Sequence, residues 1–264
     1  MPLSAFTAAA PAVLGLMIAV WLWSVVRRDA SVVDATWGLA FLLATAVAAA
    51  TAPGATPRRL LVLGLVTLWS LRLSLYIAWR NHGKGEDYRY AAMRRGHGER
   101  FWWVSLFTVF LLQGVLALVI ALPLLVAVTS PEPAGFGLRD LAGLALWIAG
   151  FAFEAVGDGQ LARFKADPGN RGHVMDRGLW RYTRHPNYFG EALLWWGYWL
   201  LAAGTPAGLA TIVSPLLMTF LLLRVSGVAL LEKGLASTKP GYAEYVARTS
   251  AFVPRRPRPP EGGG

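Results

Sequence analysis

Seven apolar runs leave this chain few ways to fold. They lie at roughly 5–26, 32–51, 60–79, 103–128, 138–157, 188–203 and 207–231. In hydrocarbon no water satisfies backbone N–H and C=O groups, so each run must close its hydrogen bonds internally as a helix. About 20 residues at 1.5 Å each cross the bilayer core. Every run except the sixth comes near that length, and only Gly204–Thr205–Pro206, a tight turn, parts the sixth from the seventh. The sequence therefore predicts an all-α polytopic membrane protein with seven transmembrane helices. It forms one domain over 1–254, followed by a disordered basic tail at 255–264 reading RRPRPPEGGG. No positive stretch precedes the first run, so we read it as a retained helix rather than a cleaved signal.

Charge orients the helices. Lys and Arg number 2, 6, 6 and 6 in the connections after runs one, three, five and seven. After runs two, four and six only Arg58, Arg59 and Arg139 occur. Basic residues gather on the cytoplasmic side, which predicts the N-terminus outside and the C-terminus in the cytoplasm. The same asymmetry accounts for the net charge of +10 without a nucleic-acid partner. With no cysteine, disulfides, thiolate metal sites and a cysteine nucleophile are excluded. His82, His97, His173 and His185 lack ligand spacing, so no metal site is expected. Gly157–Asp158–Gly159–Gln160–Leu161–Ala162 fits G-x-G-x-x-A, but a membrane helix rather than a strand precedes it and a polar loop is expected after it.

Charged side chains at membrane depth are costly and mark sites. Asp34 shares a face with Trp37, and Trp69, Arg72, Tyr76 and Arg80 make one stripe at helical spacing. Glu154 and Asp158 close the fifth run, Glu191 opens the sixth, and Arg224 and Glu232 mark the seventh and its end. Some of these could simply pair, Arg72 with Asp34 or Arg224 with Glu191. Their clustering near cytoplasmic ends, beside the long connections 80–102 and 158–187, instead suggests a site open to the cytoplasm.

That site centres on RGLWRYTRHPNYFGE, residues 177–191. Arg177, Arg181, Arg184 and His185 precede a helix start at Pro186, where Pro is well tolerated. Cationic side chains and free N–H groups there attract phosphates. Asn187, Glu191 and Trp195 recur every fourth residue on one face. This suggests an anionic ligand with phosphates at the membrane surface and a reactive end within the bilayer. The run GEDYRY at 85–90 suits either a solvated turn or an adenine or nicotinamide ribose.

Through Arg184–His185–Pro186–Asn187–Tyr188–Phe189–Gly190–Glu191 the chain resembles the steroid 5-alpha-reductase family, most closely its bacterial members. It is also similar to the sterol C14 and C7 reductases. The likeness is strongest over 157–198, with weaker support from GEDYRY, Tyr242–Tyr245 and 248–254. It implies NADPH-dependent reduction of the C4–C5 double bond of a 3-oxo-Δ4 steroid, or of a related enone lipid, in a bacterial inner membrane. By resemblance, Asn187 and Glu191 surround the nicotinamide, with Glu191 also among the reacting groups. Tyr182, Arg184, His185 and Tyr188 neighbour the ribose and diphosphate. Asp158, Arg163, Lys165 and His173 grip the cofactor, Arg80 and Asn81 match the basic loop after helix three, and Arg224 and Glu232 line the same pocket.

The chain departs from the vertebrate pattern in helix two, where Val33–Asp34–Ala35–Thr36–Trp37 replaces a Gln-Glu pair, and Trp69 stands in place of a Tyr. Hydride addition to an enone builds charge on the ketone oxygen, which a positioned donor stabilises. Asp34, expected to stay protonated in an apolar cavity, is the first candidate and Tyr76 the second; Trp37 and Trp69 would wall the lipophilic substrate. An S-adenosylmethionine-dependent membrane methyltransferase of the isoprenylcysteine carboxyl or phospholipid type shares an RHP-x-Y-like motif. Its ligand has no phosphate for these cations. A non-catalytic lipid-binding or transport protein would need no pair of basic loops. Beyond the bilayer and a small lipophilic substrate, no obligate protein partner is inferred.

Overall fold

The computed structural model describes residues 3–52, 54, 56–130, 136–225, 228, 232 and 239–258. Every regular element among them is helical. In chain order they are α1 (Leu3–Arg27), α2 (Val32–Thr51), α3 (Pro57–Asn81), α4 (Tyr88–Ile120), α5 (Leu122–Thr129), α6 (Leu138–Ala166), α7 (Pro186–Ala202), α8 (Pro206–Ala210), α9 (Val213–Phe220) and α10 (Tyr242–Arg248). Among the described residues six stretches are long and apolar enough to cross a membrane: most of α1, then α2, α3, α4, α6 and Pro206–Val225. The expected sixth run is α7, a helix of 17 residues. That is about a turn short of a full crossing.

Two expected connections begin or end in helix. Most of 80–102 is the start of α4, opened by Asp87, whose carboxylate accepts the Arg89 N–H at 3.0 Å. Likewise α6 runs 29 residues, through Gly157–Gly159 to Ala166, where a polar loop was expected. Its glycines are interior helix positions, so the G-x-G-x-x-A spacing carries no nucleotide-binding turn.

The chain packs as two compact units. The first comprises 1–136 and 202–214. There α2 lies against α3 closely enough that a Cβ on Gly38 would stand 3.0 Å from the Ser70 carbonyl oxygen. Phe41 and Trp69 meet edge to face beside this contact, both fully buried. Arg58 and Arg59, counted above as outside charges, are buried. Arg59 donates to the carbonyls of Ala52 (3.1 Å), Gly54 and Val128 (2.7 Å). It thereby satisfies carbonyls at the C-terminal ends of α2 and α5, where a cation also meets the negative end of the helix dipole.

The second unit comprises 137–201 and 215–264. Its centre is the antiparallel pair α6 and α7, joined along glycines spaced seven apart. Gly143 faces Gly197, Gly150 faces Gly190, and Gly157 faces Pro186. Small residues let membrane helices approach backbone to backbone. The Asp140 carboxylate closes the N-terminus of α6 by accepting the Gly137 N–H at 2.9 Å. In the tail, the Arg255 N–H donates to the Tyr182 carbonyl (3.0 Å) and the Arg258 N–H to the Arg248 carbonyl (2.9 Å). Residues 259–264 of the tail lie outside the described residues.

Candidate functional site

In the second unit the motif at 184–191 is built around Arg184. Its Nε and Nη2 donate to the two Glu232 carboxylate oxygens at 2.7 and 3.0 Å. Nη1 donates to the carbonyls of Val246 (3.1 Å) and Thr249 (2.5 Å). A fork of this kind suits bidentate carboxylate binding and needs every nitrogen placed. Backbone bonds complete the seam: Arg184 N–H to the Ser250 carbonyl (2.8 Å), and the Thr183 hydroxyl to the Phe252 carbonyl (2.7 Å). Arg184 is buried with every guanidinium nitrogen engaged. It braces the helix start against the C-terminal segment.

His185 lies 3.2 Å from the same Glu232 oxygen and stacks on Tyr188, ring centroids 5.5 Å apart. Burial pushes the Glu232 carboxyl up, but bonds from His185 and Arg184 and the charge of Arg184 outweigh it and hold it at about 2. Burial and the Glu232 charge push the neighbouring Tyr242 hydroxyl up to about 12. Asn187 donates from Nδ2 to Asp158 at 3.1 Å, while its Oδ1 accepts the Tyr188 N–H at 3.1 Å. Gly157 beside Pro186 makes that approach possible.

Sequence reasoning missed several supports. The Tyr245 hydroxyl donates to the Trp180 carbonyl (2.5 Å), and the Trp180 indole donates to the Gly157 carbonyl (3.0 Å). Gln160 accepts the Leu179 N–H at 2.9 Å. Their signal was the Tyr-x-x-Tyr spacing and the heptad glycines. Arg163, Lys165, Arg171, His173, Arg177, Arg181 and Tyr182 are exposed around this core. Arg224 is exposed on the π-helical turn Leu221–Val225, and Glu191 is half-buried. A dinucleotide phosphate needs exposed cations beside a fixed helix start, so this donor set fits one.

The first unit holds a second polar cluster. Asp34 accepts from Arg89 Nη2 and from the Tyr90 hydroxyl, each at 2.6 Å. The sequence reading makes Asp34 a protonated donor; here both its oxygens accept, and its partner is Arg89 rather than the Arg72 considered above. Tyr90, absent from the expected catalytic set, donates its hydroxyl to Asp34, and Gln113 Nε2 reaches its oxygen at 3.4 Å. GEDYRY is thus a fastening to the start of α2. Glu86 accepts the Ala30 N–H (2.8 Å) and grips Arg94, and the Asp87 N–H donates to Ser31 (2.7 Å). Both carboxyls are held below their ordinary range. Burial opposes this, and hydrogen bonds from Arg94 and Arg89 respectively overcome it.

The expected stripe on α3 is present. The Tyr76 ring has Arg72 at 5.5 Å and Arg80 at 5.9 Å, within cation–π range. Arg80 also donates to Asn81 at 3.2 Å. Trp37 packs edge-on to Phe41, so it and buried Trp69 flank the same ring. Among the described residues no group of three His, Cys, Asp or Glu could hold a metal ion.

Residues 20–249 match the family described as Protein of unknown function (DUF1295). The chain belongs to the DUF1295 family. An uncharacterised protein of Schizosaccharomyces pombe is 27% identical over 93% of this DUF1295 chain and 80% of its own length. The 3-oxo-5-alpha-steroid 4-dehydrogenase 1 of Macaca fascicularis is 40% identical over 61 residues, 23% of each chain. No solved structure matches.

Proposed function

We propose that this protein is an NADPH-dependent reductase of an enone lipid, of the 3-oxo-Δ4 steroid type, in a bacterial inner membrane. The observation that carries this reading is the 40% identity over 61 residues to a 3-oxo-5-alpha-steroid 4-dehydrogenase. The braced helix start with exposed cations around it supports the cofactor. Arg163, Lys165, Arg177 and Arg181 would hold the phosphates, with Tyr182 and Tyr188 beside the ribose. Asn187, held by Asp158, and half-buried Glu191 would orient the nicotinamide, which when bound supplies the hydride. In the first unit the Tyr90 hydroxyl donates to Asp34 at 2.6 Å.

Direct binding to the purified protein in detergent tests the class. Micromolar NADPH binding is expected, lost in Asn187→Ala and weakened severalfold in Arg177→Gln/Arg181→Gln, with no binding of S-adenosylmethionine. Binding of S-adenosylmethionine alone would overturn the proposal in favour of methyl transfer. Neither ligand binding would remove the catalytic reading.

The proposed topology has seven crossings, the N-terminus outside and the C-terminus in the cytoplasm, on the strength of the Lys and Arg distribution. Because the chain has no cysteine, single introduced thiols report sidedness cleanly. Lys84→Cys should react with an impermeant maleimide only in inverted vesicles, and Phe136→Cys only in intact cells. The reverse pattern would refute the orientation.

A further inference from the structure

One end of the first unit carries more exposed positive charge than the proposed reaction uses. The C-terminus of α1, the start of α2 and the start of α4 meet there. The Ala30 N–H donates to Glu86, the Asp87 N–H to Ser31, and the Trp21 indole to the Trp102 carbonyl at 2.7 Å. The acids of this end are consumed internally. Asp29 accepts the Ser31 N–H, Asp34 and Asp87 take Arg89, and Glu86 takes Arg94. Exposed around them are Arg27, Arg28, Arg80, Lys84, Arg95 and Arg100, against the single exposed carboxylate of Glu99.

Directly beside the charges stands a ring of exposed aromatics. Trp23 is 55% exposed, Trp79 66%, Tyr88 59%, Trp102 54% and Trp103 44%. Trp23 is one helical turn from Arg27, about 6 Å along the axis, and its ring lies 5.8 Å from that guanidinium. Trp79 adjoins Arg80, and Trp102 and Trp103 follow Arg100 by two and three residues. Indoles settle at the headgroup level of a bilayer, and Lys and Arg just outside it meet the phosphates.

We propose that this end of the first unit is a binding surface for anionic phospholipid headgroups, beyond the general pull of a charged leaflet. Arg95 and Arg100 contact the phosphate, and Trp102 and Trp103 pack on the glycerol and upper acyl chains. Internal pairing of the acids is what makes the surface.

The test is thermal unfolding of the full chain in phosphatidylcholine nanodiscs, with and without phosphatidylglycerol, together with native mass spectrometry of retained lipid. The parent is expected to melt higher and retain phosphatidylglycerol selectively. Arg95→Gln/Arg100→Gln should keep its melting point in phosphatidylcholine. It should also bind phosphatidylglycerol more than tenfold more weakly, at about fivefold per cation removed. Raising ionic strength from roughly 0.1 to 1 M on the parent should abolish the preference, as the screening length falls from about 10 to 3 Å. That arm needs no variant to fold. An unchanged preference in the double variant, or one that survives salt, would overturn the proposal. So would equal stabilisation by inorganic phosphate, which would mean a free-anion site. Displacement of the lipid by NADPH would assign these cations to the cofactor and sink the proposal too, without touching the reductase reading.

Discussion

Arg184→Met is expected to lower the stability of the protein by about 3 kcal/mol. Removing one partner of a buried ion pair costs roughly 3–5 kcal/mol, because the other is left uncompensated. The lower end applies, since the Glu232 side chain keeps 23% of its exposure and water can reach it. Arg184→Lys should recover less than half. An ammonium can meet one carboxylate oxygen but cannot also hold the carbonyls of Val246 and Thr249. Thermal unfolding in detergent reads both. The pairing also sets an acid limit. With the Glu232 carboxyl at about 2 against an ordinary 4.5, its contribution is complete above pH 4.5 and lost as pH falls through 2. In Arg184→Met that limb should move up toward pH 4.5. If Arg184 instead held a cofactor phosphate, Arg184→Lys would weaken NADPH binding and leave the melting point where it was.

This residue shows how the sequence was legible and where it stopped. Hydropathy placed the apolar runs well, because in hydrocarbon a run of that length has only the helix open to it. It failed where helices run on into water. Tyr88–His97 and Asp158–Ala166 are polar, and their helicity comes from a cap at Asp87 and from continuity with α6 rather than from any apolar signal. The motif around Arg184 was found at once, but the partner of its guanidinium was not legible. A cation beside a helix start reads as a phosphate ligand until a carboxylate from 48 residues away is seen to occupy it. The partners of Asp34 were hidden in the same way. Arg72 was the partner within reach of helical spacing, and nothing local announces that Arg89 and Tyr90, from the next connection but one, close upon it.

The heptad glycines of α6 and α7 are the feature most worth breaking. A Cβ at 190 would stand 2.5 Å from the Glu154 nitrogen and the Gly150 carbonyl oxygen, and one at 150 would stand 2.5 Å from the Gly190 carbonyl oxygen. These are backbone atoms of two long helices, so no rotamer change relieves the clash and the helices must part. Overpacking costs about 1–3 kcal/mol where side chains can yield. With rigid partners, Gly190→Ala and Gly150→Ala should each sit at or above the top of that range. The parting also reaches the site, because Asp158 on α6 holds Asn187 on α7 through a 3.1 Å bond. Loss of NADPH binding should therefore accompany the loss of stability. Gly159→Ala, on the same helix, is the control. Its Cβ would meet only the Arg163 guanidinium, at 3.8 Å. Helix propensity then favours alanine by up to about 1 kcal/mol. A Gly190→Ala protein that melts with the parent would mean that α6 and α7 stand further apart than the glycine contacts require, and Asn187 would lose its fixed orientation as an argument for cofactor binding.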